Sequence, residues 1–373
     1  MKVILVCGSY PPKVCGVADY TIALARALVA QGVDTEIWTS VGMDEQAVPK
    51  VSARAVFLGW GVKDVRGLLP QISIAQPDIV HIQFPAEIYH GAFGVHVLPL
   101  LLNRMKIPVI TTLHEYCRAP RGGRAKQILN ILFSRSVIVT NEQDELLVGR
   151  WGGGKVRRIP IGSNIPVLSS PDGSTPILEI CGIEPNAQFF LFFGFARQGK
   201  GIETLLEAFS RVRSSEINML FAGQPPEQEY RNEMDSLCKD LNIQDRVKWA
   251  GYQPPELVSL LFSACKAAVL PFEDGATERR GSLLAAIAHQ VPVVTTRGPF
   301  TPEMFRDGIN MSIAESLKAE ELAENMQMIL DDPGYADNLR QGAKALAAEF
   351  DWNNIAAANL EVYRETLEAG NPV

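Results

Sequence analysis

Met1-Lys-Val-Ile-Leu-Val-Cys7-Gly8-Ser-Tyr-Pro-Pro-Lys-Val-Cys-Gly16-Val-Ala-Asp19 opens the chain and carries the reading of its fold. A strand is expected at Lys2–Cys7, where Val3–Cys7 is a continuous apolar run, the pattern of a strand buried on both faces. A helix from about Val17 to Ala30 follows the loop. Tyr20, Leu24, Ala27 and Leu28 share one face at i, i+4, i+7 and i+8, and Gly32 supplies the stop. Strand, glycine-bearing loop and helix together form the repeating unit of a parallel, doubly wound sheet.

The unit recurs along the chain. Further strands are expected at Thr35–Thr39, Ala55–Leu58, Ile79–Gln83, Val109–Leu113 and Ser136–Thr140. A stretch rich in Pro, Ser and Gly, Asn164–Pro176, then reads as a linker. Beyond it strands are expected at Phe189–Phe193, Asn218–Ala222, Val247–Ala250, Ala268–Leu270, Val291–Thr295 and, more weakly, Asn310–Ile313. Leu205, Leu206, Phe209 and Val212 mark one face of the first helix of this half. The expected architecture is α/β: two Rossmann-like domains, 1–165 and 166–351, facing each other across a cleft. Ligands would bind outside the carboxyl ends of their strands.

The 373 residues are 47% hydrophobic and 21% charged, which excludes a disordered chain. A net charge of −7 argues against a protein that coats nucleic acid. No apolar run is long enough for a membrane span, and the N-terminal apolar run is too short for a signal peptide. The six cysteines are scattered without a C-x-x-C pair and read as reduced thiols of a cytoplasmic protein.

Three loops can carry chemistry. The first, Gly8–Asp19, opens on a helix N-terminus and can point amides at an anion, with phosphate contact and a plain turn both open. It lacks the G-x-G-x-x-G dinucleotide fingerprint. The second reads Phe192-Phe-Gly194-Phe-Ala-Arg197-Gln-Gly199-Lys200-Gly201-Ile-Glu. Its spacing approaches a P-loop, but Gly201 stands where Ser or Thr would hold magnesium. What remains is two cations at a helix start, suited to neutralising a diphosphate without metal. The third, Leu270-Pro-Phe-Glu273-Asp274-Gly-Ala-Thr277-Glu278-Arg279-Arg280-Gly281-Ser282-Leu283, packs acids, bases and a helix start between strand and helix. Ser282 reads as an N-cap. Glu273 and Asp274 can accept sugar hydroxyls or pair with Arg279 and Arg280.

His114 ends a strand in Thr111-Thr-Leu-His114-Glu and falls at the expected cleft edge, whereas His81 sits mid-strand and reads as core. No two histidines have a metal-like spacing, and there is no G-x-S-x-G nucleophile elbow.

Taken in order, several segments resemble the retaining glycosyltransferases of family 4. They are Gly16, Asp78-Ile-Val-His-Ile-Gln, Thr112-Leu-His114-Glu, Ile159-Pro-Ile-Gly, Gly194-Phe-Ala-Arg197-Gln-Gly-Lys200-Gly and Val291-Pro-Val-Val, with Trp352 and Tyr363 near the end. The resemblance spans essentially the whole chain. It implies the GT-B fold, an acceptor-side first domain, a donor-binding second domain and a final helix, 352–373, that returns to the first. It also implies that Arg197 and Lys200 hold the donor diphosphate, that Gly16 approaches the phosphates and that His114 contacts the donor sugar. Glu273, Asp274, Arg279, Arg280, Gly281, Ser282 and Leu283 would line the donor site.

The chain departs from the family in one place. The usual Glu, seven residues, Glu pattern before the Val-Pro-Val-Val strand would place its carboxylates at Thr277 and Ala285, and Glu278 is one residue out of register. The branch is divergent, and ribose must be held differently or turnover lost; the surviving Arg197, Lys200 and Gly281-Ser282 favour the former.

The resulting expectation is a metal-independent transferase moving a hexose, or a hexuronic acid clamped by Arg279 and Arg280, from a UDP-sugar. The acceptor would be a glycan or a lipid-linked saccharide in polysaccharide synthesis. Charge on the leaving diphosphate would be stabilised by Arg197, Lys200 and amides near Gly16 and Gly281. No cofactor beyond the donor is expected. The alternatives are a UDP-sugar 2-epimerase of the same architecture and a non-catalytic sugar-nucleotide binding partner. Arg118, Arg121, Arg124 and Lys126 form a candidate cluster for peripheral membrane association, with a mobile solvated loop around Gly122-Gly123 as the other reading.

Overall fold

The computed structural model describes residues 1–373 except 14, 47, 86, 87, 90, 169–180, 185, 186 and 370–373. It divides into two compact units: Met1–Gly162 with Asp351–Val373, and Ser163–Phe350. The division falls between 162 and 163 because the chain from Ser163 onward already belongs to the second unit. There the Leu168 amide donates to Ser259 Oγ at 3.0 Å. Residues 169–176 of the expected linker lie outside the described residues.

The first unit holds a seven-stranded, all-parallel sheet. Its strands are β1 (Lys2–Val6), β2 (Asp34–Ser40), β3 (Ser52–Phe57), β4 (Ile79–Phe84), β5 (Val109–Leu113), β6 (Ser136–Val139) and β7 (Val156–Arg158), in the order β3-β2-β1-β4-β5-β6-β7. Val3 pairs with Thr35 on one side and Ile79 on the other. Every residue of β4 is buried, as a strand covered on both faces requires. The two faces carry separate cores, one around Trp38, Ile82 and Leu98, the other around Leu5, Leu24 and Tyr363. The first helix, Gly16–Ala30, buries the expected stripe of Tyr20, Leu24, Ala27 and Leu28.

The second unit repeats the plan with β8 (Phe189–Phe193), β9 (Asn218–Ala222), β10 (Val247–Gly251), β11 (Ala267–Leu270), β12 (Val293–Thr296) and β13 (Ser312–Ala314), ordered β10-β9-β8-β11-β12-β13. Strand order reverses at β1/β4 in one sheet and at β8/β11 in the other. In open parallel sheets such a switch point leaves a crevice at the carboxyl ends of the strands. The loops after β1 and β8, singled out from the sequence, therefore open at the crevices.

Three edge strands differ from expectation, β13 by starting two residues later than Asn310–Ile313 and ending one later. β3 starts and ends earlier than Ala55–Leu58, and Leu58 is 88% exposed. β7, Val-Arg-Arg, has no apolar run to announce it and is defined by its pairing with β6.

The last helix, Trp352–Glu368, belongs to the first unit. It packs along the first helix and buries Ile355, Val362 and Tyr363. The Gln31 side chain donates to the Asn353 carbonyl at 2.7 Å, and Arg135 reaches the Thr366 carbonyl at 3.0 Å.

Candidate functional site

In the second unit the loop after β8 is a run of glycine conformations. Gly194, Gly199 and Gly201 have φ of 141°, 79° and 67°, a region that L side chains rarely adopt. A Cβ at Gly201 would lie 2.3 Å from the Pro271 carbonyl oxygen, so this loop is pressed against the start of the loop after β11. Gly201 caps the helix Ile202–Ser210, and the loop leading into that helix carries Arg197, exposed, and Lys200, half-buried. Arg197 makes no ion pair among the described residues.

The loop after β11 departs from expectation. Asp274 is bonded by both neighbouring guanidinium groups: Arg279 Nη2 donates to Oδ2 at 3.1 Å, and Arg280 Nη2 pairs with Oδ1. The Arg280 guanidinium also lies 4.6 Å from the centre of the Phe272 ring. Both arginine side chains are only about a tenth exposed. Both guanidinium groups are thus paired with Asp274, the alternative to lining the sugar pocket. Glu273 stands apart, exposed, with Oε2 3.7 Å from where a Gly199 Cβ would be. Thr277 and Glu278 are buried, and Ala285 is wholly enclosed, so the position expected for a ribose-binding carboxylate is core methyl.

The helix after this loop runs Gly281–Ala288 with Arg280 as its N-cap, so Ser282 is the second helical residue and not the cap. The first intrahelical bond is Leu284 N–H to the Arg280 carbonyl. That leaves the amides of Gly281, Ser282 and Leu283 without acceptors among the described residues, at the positive end of a helix. Leu283 offers only this amide, its side chain being buried. Ser282 Cβ is 3.9 Å from where a Gly194 Cβ would be. The amide cluster and the cationic loop after β8 are therefore neighbours, an arrangement suited to a polyanion.

Beside them, at the ends of β8, β9 and β10, is a cavity of about 180 Å³. Gly194, Ala196, Gln224, Trp249 and Gly251 are among its lining residues. Trp249 stacks on Phe221 at 4.3 Å, and the Arg231 guanidinium covers Trp249 at 4.6 Å. The sequence reading missed this cavity; the Gly-Tyr-Gln-Pro turn after β10 was its only local signal.

In the first unit Gly16 begins the first helix. Cys15 provides no side-chain cap, and the first intrahelical acceptor is taken by Asp19 N–H. The amides of Gly16, Val17 and Ala18 thus have no acceptor among the described residues, and a Cβ at Gly16 would meet nothing within 4 Å. His114 follows β5 directly and is 9% exposed. Its Nε2 is 3.0 Å from Gln83 Oε1, and its ring meets Tyr20 edge-on at 4.8 Å. Burial holds its pKa down, at about 3, so the ring is neutral at pH 7. His81 is core, bonded to Tyr363 and Thr112, and also depressed to about 3 by burial. The turn after His114 is fixed by the buried Asp144, which accepts from the Tyr116 and Cys117 amides at 3.0 and 2.7 Å. Gln83 closes the Asp78-Ile-Val-His-Ile-Gln segment, with no role read for it there, and no motif marked Asp144.

The basic cluster is largely committed to local contacts. Arg118 pairs with Glu115 at 3.2 Å. Arg124 donates to the Ala119 and Cys117 carbonyls. Lys126 reaches the Gly91 carbonyl at 3.3 Å. Gly122 and Gly123 are not in a loop but in the first turn of the helix Arg121–Phe133. No helix among the described residues is long and apolar enough to cross a membrane.

Comparison with known proteins identifies the family and the fold. Residues 14–165 match the family model described as Glycosyltransferase Family 4, and residues 176–346 match Glycosyl transferases group 1. A D-inositol 3-phosphate glycosyltransferase of Xylanimonas cellulosilytica is 23% identical, over 95% of this chain and 92% of its own. Among solved structures, a glycosyltransferase from Rickettsia africae superposes with a TM-score of 0.81 at 18% identity, covering 98% of both chains. Anabaena HepE in complex with UDP-glucose gives 0.74 at 18% identity, covering 99% of this chain and all of that one. With two glycosyltransferase models in tandem on two parallel α/β units, the chain is a glycosyltransferase of the GT-B fold, with a family 4 first half and a group 1 second half.

Proposed function

We propose that this glycosyltransferase moves a neutral hexose from a UDP-sugar, with retention of anomeric configuration, to a glycan or lipid-linked saccharide. The observation that carries the reading is the neighbourhood of the cationic loop and the free helix start. Arg197 and Lys200 lie on the loop after β8, and Gly194 of that loop adjoins Ser282, whose amide is one of three open donors. These groups suit the charge that develops on a departing diphosphate. They supply it without a metal, and no cofactor is needed beyond the donor.

The cavity at the ends of β8–β10, with Ala196, Trp249 and Gly251 in its lining, supports placing the base beside the diphosphate site. The choice of UDP rests on HepE, crystallised with UDP-glucose. Ribose would be held by groups other than a carboxylate at 285, Glu273 being the exposed one beside Gly199. His114, neutral and acting as a hydrogen-bonding group, would contact the donor sugar, and the amides at Gly16 would approach the phosphates. The pairing of Arg279 and Arg280 with Asp274 favours a hexose over a hexuronic acid. The Xylanimonas relative is named for a phosphorylated cyclitol acceptor, so inositol phosphates belong in the acceptor screen beside glycans and lipid-linked saccharides. Peripheral docking at the cytoplasmic membrane face would leave Arg121, exposed at its helix start, as the basic residue presented.

The test is donor turnover followed by NMR of the product anomer. Transfer from a UDP-hexose with the donor's anomeric configuration supports the reading. An inverted product, or a UDP-linked epimer formed without acceptor, overturns it.

A further inference from the structure

Gln83 is wholly buried at the end of β4, one strand over from His114. Its Oε1 lies 3.0 Å from His114 Nε2, while its own Nε2 is buried with no hydrogen-bond partner among the described residues. A half-satisfied amide is a poor core residue. The unmade bonds of its NH2 group cost stability, and an apolar side chain of similar size would avoid that cost. Its presence calls for a role outside packing, and its one side-chain hydrogen bond among the described residues is to the histidine.

We propose that Gln83 is a positioning residue that fixes the tautomer and ring orientation of His114; the proposal rests on the reading of His114 as the donor-sugar contact. With the amide turned as it is, Oε1 toward the ring, the oxygen can only accept, which places the proton on Nε2 and presents Nδ1 as a lone-pair acceptor. Nδ1 has no protein partner among the described residues, and it can accept a hydroxyl proton. The ring is gripped from a second side by Tyr20, 4.8 Å away and edge-on, and Tyr20 in turn packs edge-on against Trp352 at 5.3 Å. Gln83 is itself anchored through its backbone, whose carbonyl accepts from the Tyr89 hydroxyl at 2.7 Å. The imidazole is thereby held in one plane with one nitrogen available, as an acceptor for a sugar hydroxyl must be before the donor arrives.

The experiment uses the full chain labelled with 15N-histidine, unliganded, at pH 7. Long-range 1H–15N spectra identify the tautomer, with the His114 signals assigned by their loss in His114→Asn. The expected result is the Nε2–H form in the wild type and a mixture of tautomers in Gln83→Leu. The same variant is expected to melt no lower than wild type while its kcat falls about tenfold or more, with a smaller change in the donor KM. Three results would overturn the proposal: an Nδ1–H wild type, an unchanged tautomer in Gln83→Leu, or a kcat loss matched by loss of stability. Should Gln83→Leu not fold, the wild-type spectrum together with Gln83→Asn decides, the shorter side chain being expected to lose the single tautomer. The spectra need no substrate. Failure of the transferase reading would therefore show as absent turnover with the tautomer intact, and failure of this proposal as the reverse.

Discussion

The Tyr363 hydroxyl lies 2.8 Å from Nδ1 of His81, so a residue of the last helix is bonded to the middle of a central strand. Both side chains are fully buried, and His81 passes the contact on to Thr112 on β5 at 2.7 Å. The end of the chain is thus bonded into the sheet that carries His114. Tyr363→Phe keeps the ring and leaves the His81 nitrogen unsatisfied, an expected loss of about 1–3 kcal/mol. Tyr363→Ala also leaves a cavity and should lose about 3–5 kcal/mol. Urea denaturation of the two variants checks the order and the gap.

The two buried histidines make stability depend on pH. Both are held at about 3 when folded, against an ordinary value of about 6.5 when unfolded. Between those values the unfolded chain binds protons that the folded chain does not. Stability is therefore complete above about pH 6.5 and is lost as pH falls below it. The slope approaches about 1.4 kcal/mol per pH unit for each histidine. Denaturation at pH 7 and pH 5 should show the loss, and His114→Asn should remove about half of it.

Gly16 and Gly201 are expected to behave in opposite ways. An added Cβ at Gly16 meets nothing within 4 Å, whereas at Gly201 it would sit 2.3 Å from the Pro271 carbonyl at a φ of 67°. Gly201→Ala should lower stability by about 1–3 kcal/mol, as strained backbone does, and weaken UDP binding with it. Gly16→Ala should leave the melting midpoint within about a degree while weakening donor binding, because what it crowds is the phosphate approach. Thermal melts and UDP titrations of the pair separate the two behaviours.

Asp274 neutralises two largely buried guanidinium groups. Asp274→Ala should cost about 1–3 kcal/mol through the lost charge-assisted bonds. Arg279→Ala and Arg280→Ala should likewise act on stability, leaving the preference for UDP-glucose over UDP-glucuronate unchanged. A preference that shifts in either arginine variant would return these side chains to the sugar pocket.

The strands and loops were legible because buried parallel strands are continuous apolar runs and because glycines with charges mark the turns that follow them. β7 was not, because Val-Arg-Arg has no apolar run and owes its place to the partner it pairs with. Which carboxylate the arginines choose is set by the fold of the loop from Pro271 to Arg280, which spacing does not reveal. Ser282 looked like a cap because helix starts were counted from residue type. The intrahelical bonds begin at the Arg280 carbonyl, two residues earlier. Gln83 and His114 come together only through the register of β4 on β5, where Gln83 stands opposite Thr112.

Calorimetric binding of UDP, GDP and ADP, with and without magnesium, repeated on Lys200→Ala, tests the central claim most directly. The account predicts UDP-selective binding that magnesium does not change and that Lys200→Ala weakens at least tenfold. Absence of nucleotide binding, or binding that requires magnesium and ignores Lys200, would contradict it.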